Sequence, residues 1–123
     1  MLETYLVCLA LNVYHEGRGE LLEGQMAIAW VVYNRAKGKE ENYCKVVYSH
    51  KQFSWTSVAN LKVDKTSEEW ATAVKVARTF KTYTNPIGNA THYHAISVAP
   101  RWVSEFEQVA HIGDHVFYAK PNK

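Results

Sequence analysis

Two apolar stretches of helical period, Leu2–Tyr14 and Leu22–Ala36, follow one another near the start of the chain, separated by a single break at Gly17-Arg18-Gly19. In the first, no Gly or Pro interrupts, and Leu2, Leu6, Leu9 and Val13 recur on one side. In the second, Met26, Ala29, Trp30 and Tyr33 do the same. The joint between them carries His15, Glu16, Glu20 and Glu23. A carboxyl group at the end of an apolar helix is partly buried if the next helix covers it. Burial disfavours the charged form and raises the pKa, as a general acid working near neutral pH requires. Glu16 is a credible buried acid, because it follows a mostly apolar run and precedes a glycine, but this pattern by itself does not select it over Glu20 or Glu23. Glu20 and Glu23 read more simply as first-turn residues of the second helix, where the helix dipole favours negative charge.

Further along, Gly38 and the charged Lys37–Glu41 stretch end the second helix. Tyr43–Ser49 predicts one or two helical turns, and Gln52–Lys65 has no clear period. Thr66-Ser67-Glu68-Glu69 is a capping-box pattern with Thr66 at the cap. It predicts a long helix to about Tyr83, with Trp70, Val74, Ala77 and Phe80 inward. Asn85-Pro86-Ile87-Gly88 stops it. Ala90–Val98 and His115–Ala119 predict strands, Ile112-Gly113-Asp114 a turn, and Val103–Ala110 either a helical turn or a strand. The expectation is one α+β domain, mainly helical, with a small antiparallel β element near the C-terminus. A chain of 123 residues suits one domain.

Apolar residues make up 47% and charged residues 21%, a balance that excludes disorder. A net charge of +2 without a Lys/Arg cluster argues against nucleic-acid binding. The apolar run Leu6–Leu11 follows Glu3 and has no basic flank. It is about half the roughly 20 residues that span a bilayer. It reads as a core helix, so neither an export signal nor membrane insertion is expected. Cys8 and Cys44 are too far apart for a CxxC motif. A disulfide is geometrically possible, but Cys8, in its apolar run, reads better as a small buried hydrophobe.

Two later segments carry groups suited to chemistry. Gln52-Phe53-Ser54-Trp55 suits stacking on a sugar ring and hydrogen bonding to its hydroxyls; its aromatics read equally well as core plugs. On a strand, His92 and His94 share one face and Tyr93 takes the other. Two His on one face are a possible metal pair, completed by Glu16 or His115, although no HExxH or CxxC spacing supports it. GxSxG, GxGxxG and P-loop patterns are absent from the sequence.

Taken together, Asn12-Val13-Tyr14-His15-Glu16-Gly17-Arg18-Gly19-Glu20, Glu23-Gly24-Gln25 and the run from Ala29 to Asn34-Arg35 resemble the cell wall hydrolase family typified by the spore-cortex-lytic enzyme SleB. Val46-Val47-Tyr48, Gln52–Trp55, Ala90–His94 and Ile112–Tyr118 extend the resemblance across nearly the whole chain. It implies a lysozyme-like α+β domain that cleaves peptidoglycan between MurNAc and GlcNAc, as a lytic transglycosylase or a muramidase. It makes Glu16 the general acid/base and requires no cofactor or metal. Gly17 departs from the family's usual Ala and adds backbone freedom. Expected substrate contacts are His15, Glu23, Gln25, Gln52, Phe53, Ser54, Trp55, His92, Tyr93, His94 and Tyr118. The expected partner is the glycan strand, bound by a monomer. The expected place of action is the cell wall, reached from the host cytoplasm if the chain is a phage endolysin; a lone or trimmed bacterial hydrolase domain is the alternative. Two other readings stand beside this one: a metal-dependent amidase or peptidase using His92 and His94, and a non-catalytic wall-binding domain.

Overall fold

The computed structural model describes residues 2–49 and 63–121. Gln52, Phe53, Ser54 and Trp55 lie outside the described residues. Helix α1 spans Thr4–Gly17, α2 Leu22–Arg35, α3 Tyr43–Val47 and α4 Glu68–Thr79. Strands β1 (His92–Ala95), β2 (Glu107–Ile112) and β3 (His115–Ala119) form an antiparallel sheet in the order β1-β3-β2. This is the expected α+β arrangement, with the helical body first and the sheet near the C-terminus.

Every residue of α2 from Met26 to Val32 is buried. A helix with no solvent face over two turns must be enclosed, and α1, α3 and α4 pack around it and each other. On α4 the buried positions are Trp70, Ala73, Val76 and Ala77, with Phe80 just beyond. Val74, expected inward, sits half-buried at the margin of the core. The cap also shifts by one residue. Ser67 Oγ accepts from the Trp70 amide at 3.1 Å, while Thr66 turns back to Asp64 with both its amide and its hydroxyl. Past Thr79 the chain tightens into a single 3-10 turn over Phe80–Thr82.

Cys8 and Cys44 form a disulfide that joins α1 to α3. The reading of Cys8 as a plain hydrophobe is therefore corrected. The side chain is buried, but its burial against α3 brings the two Cα atoms to 5.2 Å, within bridging distance.

The sheet is a two-sided layer. Cross-strand partners share a face, so Tyr93 and Phe117 form one side, and His92 and Tyr118 the other. The Tyr93 side lies on the helical core. A 3-10 turn over Arg101–Glu105 folds back across the other side, with Trp102 against His92, His94 and Tyr118. The segment Val103–Ala110 thus holds both alternatives in succession, the end of that turn and then a strand. A bulge at Val109 offsets the β2 register and leaves Val109 exposed while Ala110 turns toward the core.

The disulfide closes a loop of sequence separation 36. Restricting the unfolded chain over that length stabilises the fold by about 3–4 kcal/mol in the chain-entropy account. Denaturant titration with and without reductant should show a loss of that order, reproduced by a Cys8→Ser/Cys44→Ser double variant.

Candidate active site

Glu16 occupies the penultimate position of α1, where the helix runs into the Gly17-Arg18-Gly19 break. Its carboxyl group is largely buried, and burial pushes its pKa above the ordinary glutamate range. Two groups oppose that shift: a hydrogen bond from Tyr93 and the charge of His115. Tyr93 Oη donates to Glu16 Oε1 at 2.5 Å across 77 residues of sequence. The Tyr93 hydroxyl is itself held far above the ordinary tyrosine range by burial and by Glu16, so it stays protonated and donates to the carboxyl group.

The end of α2 sets the position of Tyr93. Asn34 Nδ2 donates to the carbonyls of Gly88 and Ala90 at 2.9 and 2.8 Å, and Arg35 Nε donates to Thr91 O at 2.5 Å. These bonds hold the chain entering β1. Behind the ring, Phe117 is fully buried and lies 5.5 Å from Tyr93, centroid to centroid. The phenol is therefore anchored at its backbone, against its back face and at its hydroxyl.

Glu20 and Glu23, the other two carboxylates of the joint, are placed elsewhere. Glu20 precedes α2 and is enclosed by the β2–β3 hairpin. Its Oε1 accepts from the Asp114 amide at 3.0 Å and pairs with His115 Nδ1 at 2.8 Å. The hairpin turn admits this carboxylate because Gly113 sits at φ 58 with no side chain; a Cβ there would overlap Glu20 Oε2. Glu20 is thus neither a first-turn residue nor a free acid. Glu23 is the first-turn residue of α2 and is exposed. Gly17 is not in the left-handed region, so backbone freedom does not explain it. A Cβ at Gly17 would lie 3.1 Å from Ile28 Cδ1 and 3.3 Å from Gln25 Cγ, so the missing methyl lets α1 and α2 close tightly beside Glu16.

The expected substrate contacts divide into groups. Tyr93 meets Glu16 directly. His15 lies beside Glu16 in α1, half-buried, its ring edge-on to Tyr14, with burial and then Arg18 lowering its pKa. Gln25 donates to Glu20 O at 3.1 Å and holds the joint. His92, His94 and Tyr118 lie on the opposite face of the sheet, where His94 Nε2 and Tyr118 Oη are 2.9 Å apart. The alternation of His and Tyr is as expected, but it directs the two His away from Glu16. His115 and Glu16 are on the other side of β1, so they cannot complete a site with His92 and His94. Among the described residues, no three His, Cys, Asp or Glu side chains converge on a common point.

A profile of the cell wall hydrolase family matches residues 19–118. The chain belongs to the cell wall hydrolase family. It is 31% identical over 112 residues to the spore cortex-lytic enzyme of Halalkalibacterium halodurans, and 32% identical over 112 residues to that of Bacillus cereus. Each alignment covers 89% of this chain but only 33% and 42% of those proteins, so the chain spans less than half the length of these curated relatives. The fold matches the catalytic domain of the germination-specific lytic transglycosylase SleB from Bacillus anthracis, with TM-score 0.74, 24% identity and 97% of each chain covered. The catalytic domain of Bacillus cereus SleB gives TM-score 0.72 at 26% identity, covering 97% of this chain and 93% of that one. The family match begins at Gly19, just downstream of Glu16.

The raised pKa of Glu16 has a consequence for stability. The folded domain holds this proton over a pH range in which the unfolded chain has already released it. Stability from this group is present below the ordinary glutamate range and is lost as pH rises through the folded pKa. Glu16→Gln keeps an acceptor for Tyr93 and removes the loss. In denaturant melts the variant should be the more stable form at neutral pH, and the two should converge toward about pH 4, where glutamate protonates in either state.

Proposed function

We propose that this domain cleaves the glycan strands of peptidoglycan between MurNAc and GlcNAc, with Glu16 as the general acid. The observation that carries this reading is a single, largely buried carboxyl group bonded to a buried phenol at the end of α1. Membership of the cell wall hydrolase family supports the substrate class, as do the curated relatives, which are cortex-lytic enzymes.

The number of carboxylates bears on the reaction type. Two-carboxylate glycosidases place the pair roughly 5–9.5 Å apart, one as acid and one as base or nucleophile. Among the described residues, the groups acting on the charge state of Glu16 are Tyr93 and His115, and Glu20 is committed to the hairpin. A site with one carboxyl group fits transglycosylation. The protonated Glu16 gives its proton to the glycosidic oxygen as the bond to MurNAc C1 breaks. The carboxylate so formed takes the proton of the MurNAc C6 hydroxyl as that oxygen bonds to C1. The product is a 1,6-anhydro sugar, no water is consumed, and Glu16 ends protonated as it began. The Bacillus anthracis protein of the same fold is itself described as a lytic transglycosylase.

The disulfide suits a domain that acts in an oxidising compartment outside the cytoplasm. A monomer suffices for this reading, because Glu16 and Tyr93 belong to one chain.

Mass spectrometry of digested sacculi should show 1,6-anhydro-MurNAc ends, and Glu16→Gln should abolish their release. Reducing MurNAc ends alone would replace transglycosylation by hydrolysis, and near-full activity in Glu16→Gln would remove Glu16 from the mechanism. Tyr93→Phe tests the phenol separately. Its bond favours the carboxylate form of Glu16, so its loss raises the pKa further and keeps the acid protonated to higher pH. The alkaline limb of the kcat/KM profile should move upward while the maximal rate falls by roughly 10- to 100-fold, in the range of lost acid–base positioning.

A further inference from the structure

A cleft of about 520 Å³ lies not at Glu16 but at the end of α2, between α3, the entry to β1 and the exit of β3. Arg35, Lys37 and Lys120 line it, with Asn34, Thr91 and His92 between them. A second cleft of about 310 Å³ adjoins it, sharing Arg35 and Lys37 and adding Lys39 and Lys45. No Asp or Glu is among the described residues that line either one. The ion pairs among the described residues are Lys81–Glu40 and His115–Glu20, so Lys37, Lys39, Lys45 and Lys120 have no carboxylate partner there.

A helix C-terminus favours a cation in its last turn, which accounts for Arg35. It accounts equally for Lys45 in the last turn of α3, but not for Lys120 beyond β3; these cations line the two adjoining clefts from separate elements. Lys37 holds φ 54, a left-handed conformation unusual for a residue other than glycine, in the turn that follows α2. The positive field of the trough is felt inside it. Burial, then Arg35 and Lys120, lower the pKa of His92 to about 4, so at neutral pH that ring is an uncharged wall beside the cations.

We propose that this trough is a second binding site, for the carboxylates of the peptide chains carried by the glycan strand. The proposal rests on the reading of the domain as a peptidoglycan-cleaving one. Its reach is adequate. His92 in the trough and Tyr93 at Glu16 are neighbours in β1, facing opposite sides of one sheet. A stem peptide of about three residues extends about 10 Å, and Arg35, which lines the trough, is close enough to Tyr93 to act on its hydroxyl by charge. A peptide attached to the MurNAc at the scissile bond can therefore pass the sheet edge and set its carboxylates among Arg35, Lys37 and Lys120. Discrete carboxylates on a short chain match a short trough with cations on three sides.

The test is binding, measured by calorimetry in a Glu16→Gln background so that no cleavage intervenes. The ligands are a disaccharide carrying its stem peptide, the same disaccharide without peptide, and poly(glycerol phosphate). Lys37→Glu/Lys120→Glu should weaken the peptide-bearing ligand about tenfold, the scale of two exposed charge contacts, and leave the bare disaccharide unchanged. Lys37→Gln/Lys120→Gln, milder for folding, should give a smaller loss in the same direction. Equal affinity for the peptide-bearing ligand in wild type and both variants overturns the proposal. So does a trough-dependent preference for poly(glycerol phosphate), which would mark a phosphate-polymer site instead. Failure of the glycan-cleavage reading appears in the product assay and not in this titration, so the two are distinguishable.

Discussion

The hydrogen bond from Tyr93 to Glu16 joins the two halves of the domain, the end of the helical hairpin and the first strand of the sheet. It joins a carboxyl group stripped of most of its water to a phenol whose pKa is held far above the ordinary range by burial and by Glu16. Moving either group breaks this bond, and an unmade bond at a buried polar group costs about 1–3 kcal/mol. Much of the surrounding architecture serves to hold these two ends in register. Asn34 and Arg35 pin the chain that enters β1, Phe117 backs the phenol, and the packing of Gly17 on Ile28 brings α2 against the end of α1.

The division of labour among the carboxylates follows from the same joint. Glu16, Glu20 and Glu23 lie within a few residues of one another, yet one is buried as an acid, one is consumed by a hairpin and one faces solvent. What separates them is the break at Gly17-Arg18-Gly19, which ends the helical phase, and the glycine at position 113, which opens a space that only the Glu20 carboxylate fills. His115 is shared between these roles. It pairs with Glu20 directly and acts on Glu16 through its charge. The hairpin is thus both a structural clasp and a part of the electrostatic environment of the acid.

The sheet divides the molecule's chemistry. Its inner face carries the phenol that meets Glu16. On its outer face, His94 and Tyr118 pack under Trp102, and His92 borders a basic trough. Residues adjacent in β1 therefore serve different surfaces. This also explains why a pair of histidines one residue apart is not a metal site with Glu16: the side-chain alternation that brings the two His together is what turns them away from the acid.

Periodicity determined most of the helical body from the sequence alone, since apolar spacing reports which side of a helix is buried. Helices α1 to α4 and the final strand were legible for this reason, the turn was legible from Gly113, and Glu16 was a candidate acid through the family resemblance of its segment. Local signals were less sharp where side chains compete. Thr66 and Ser67 are equivalent caps on paper, and Asp64 decides between them by capturing Thr66. Only the tertiary structure paired Cys8 with Cys44, committed Glu20 to Asp114 and His115, delivered Tyr93 to Glu16, and gathered Lys37, Lys45 and Lys120 around one trough. Each of these joins residues far apart in the chain. Sequence spacing carries information about neighbours on one element, but none about which elements close over one another.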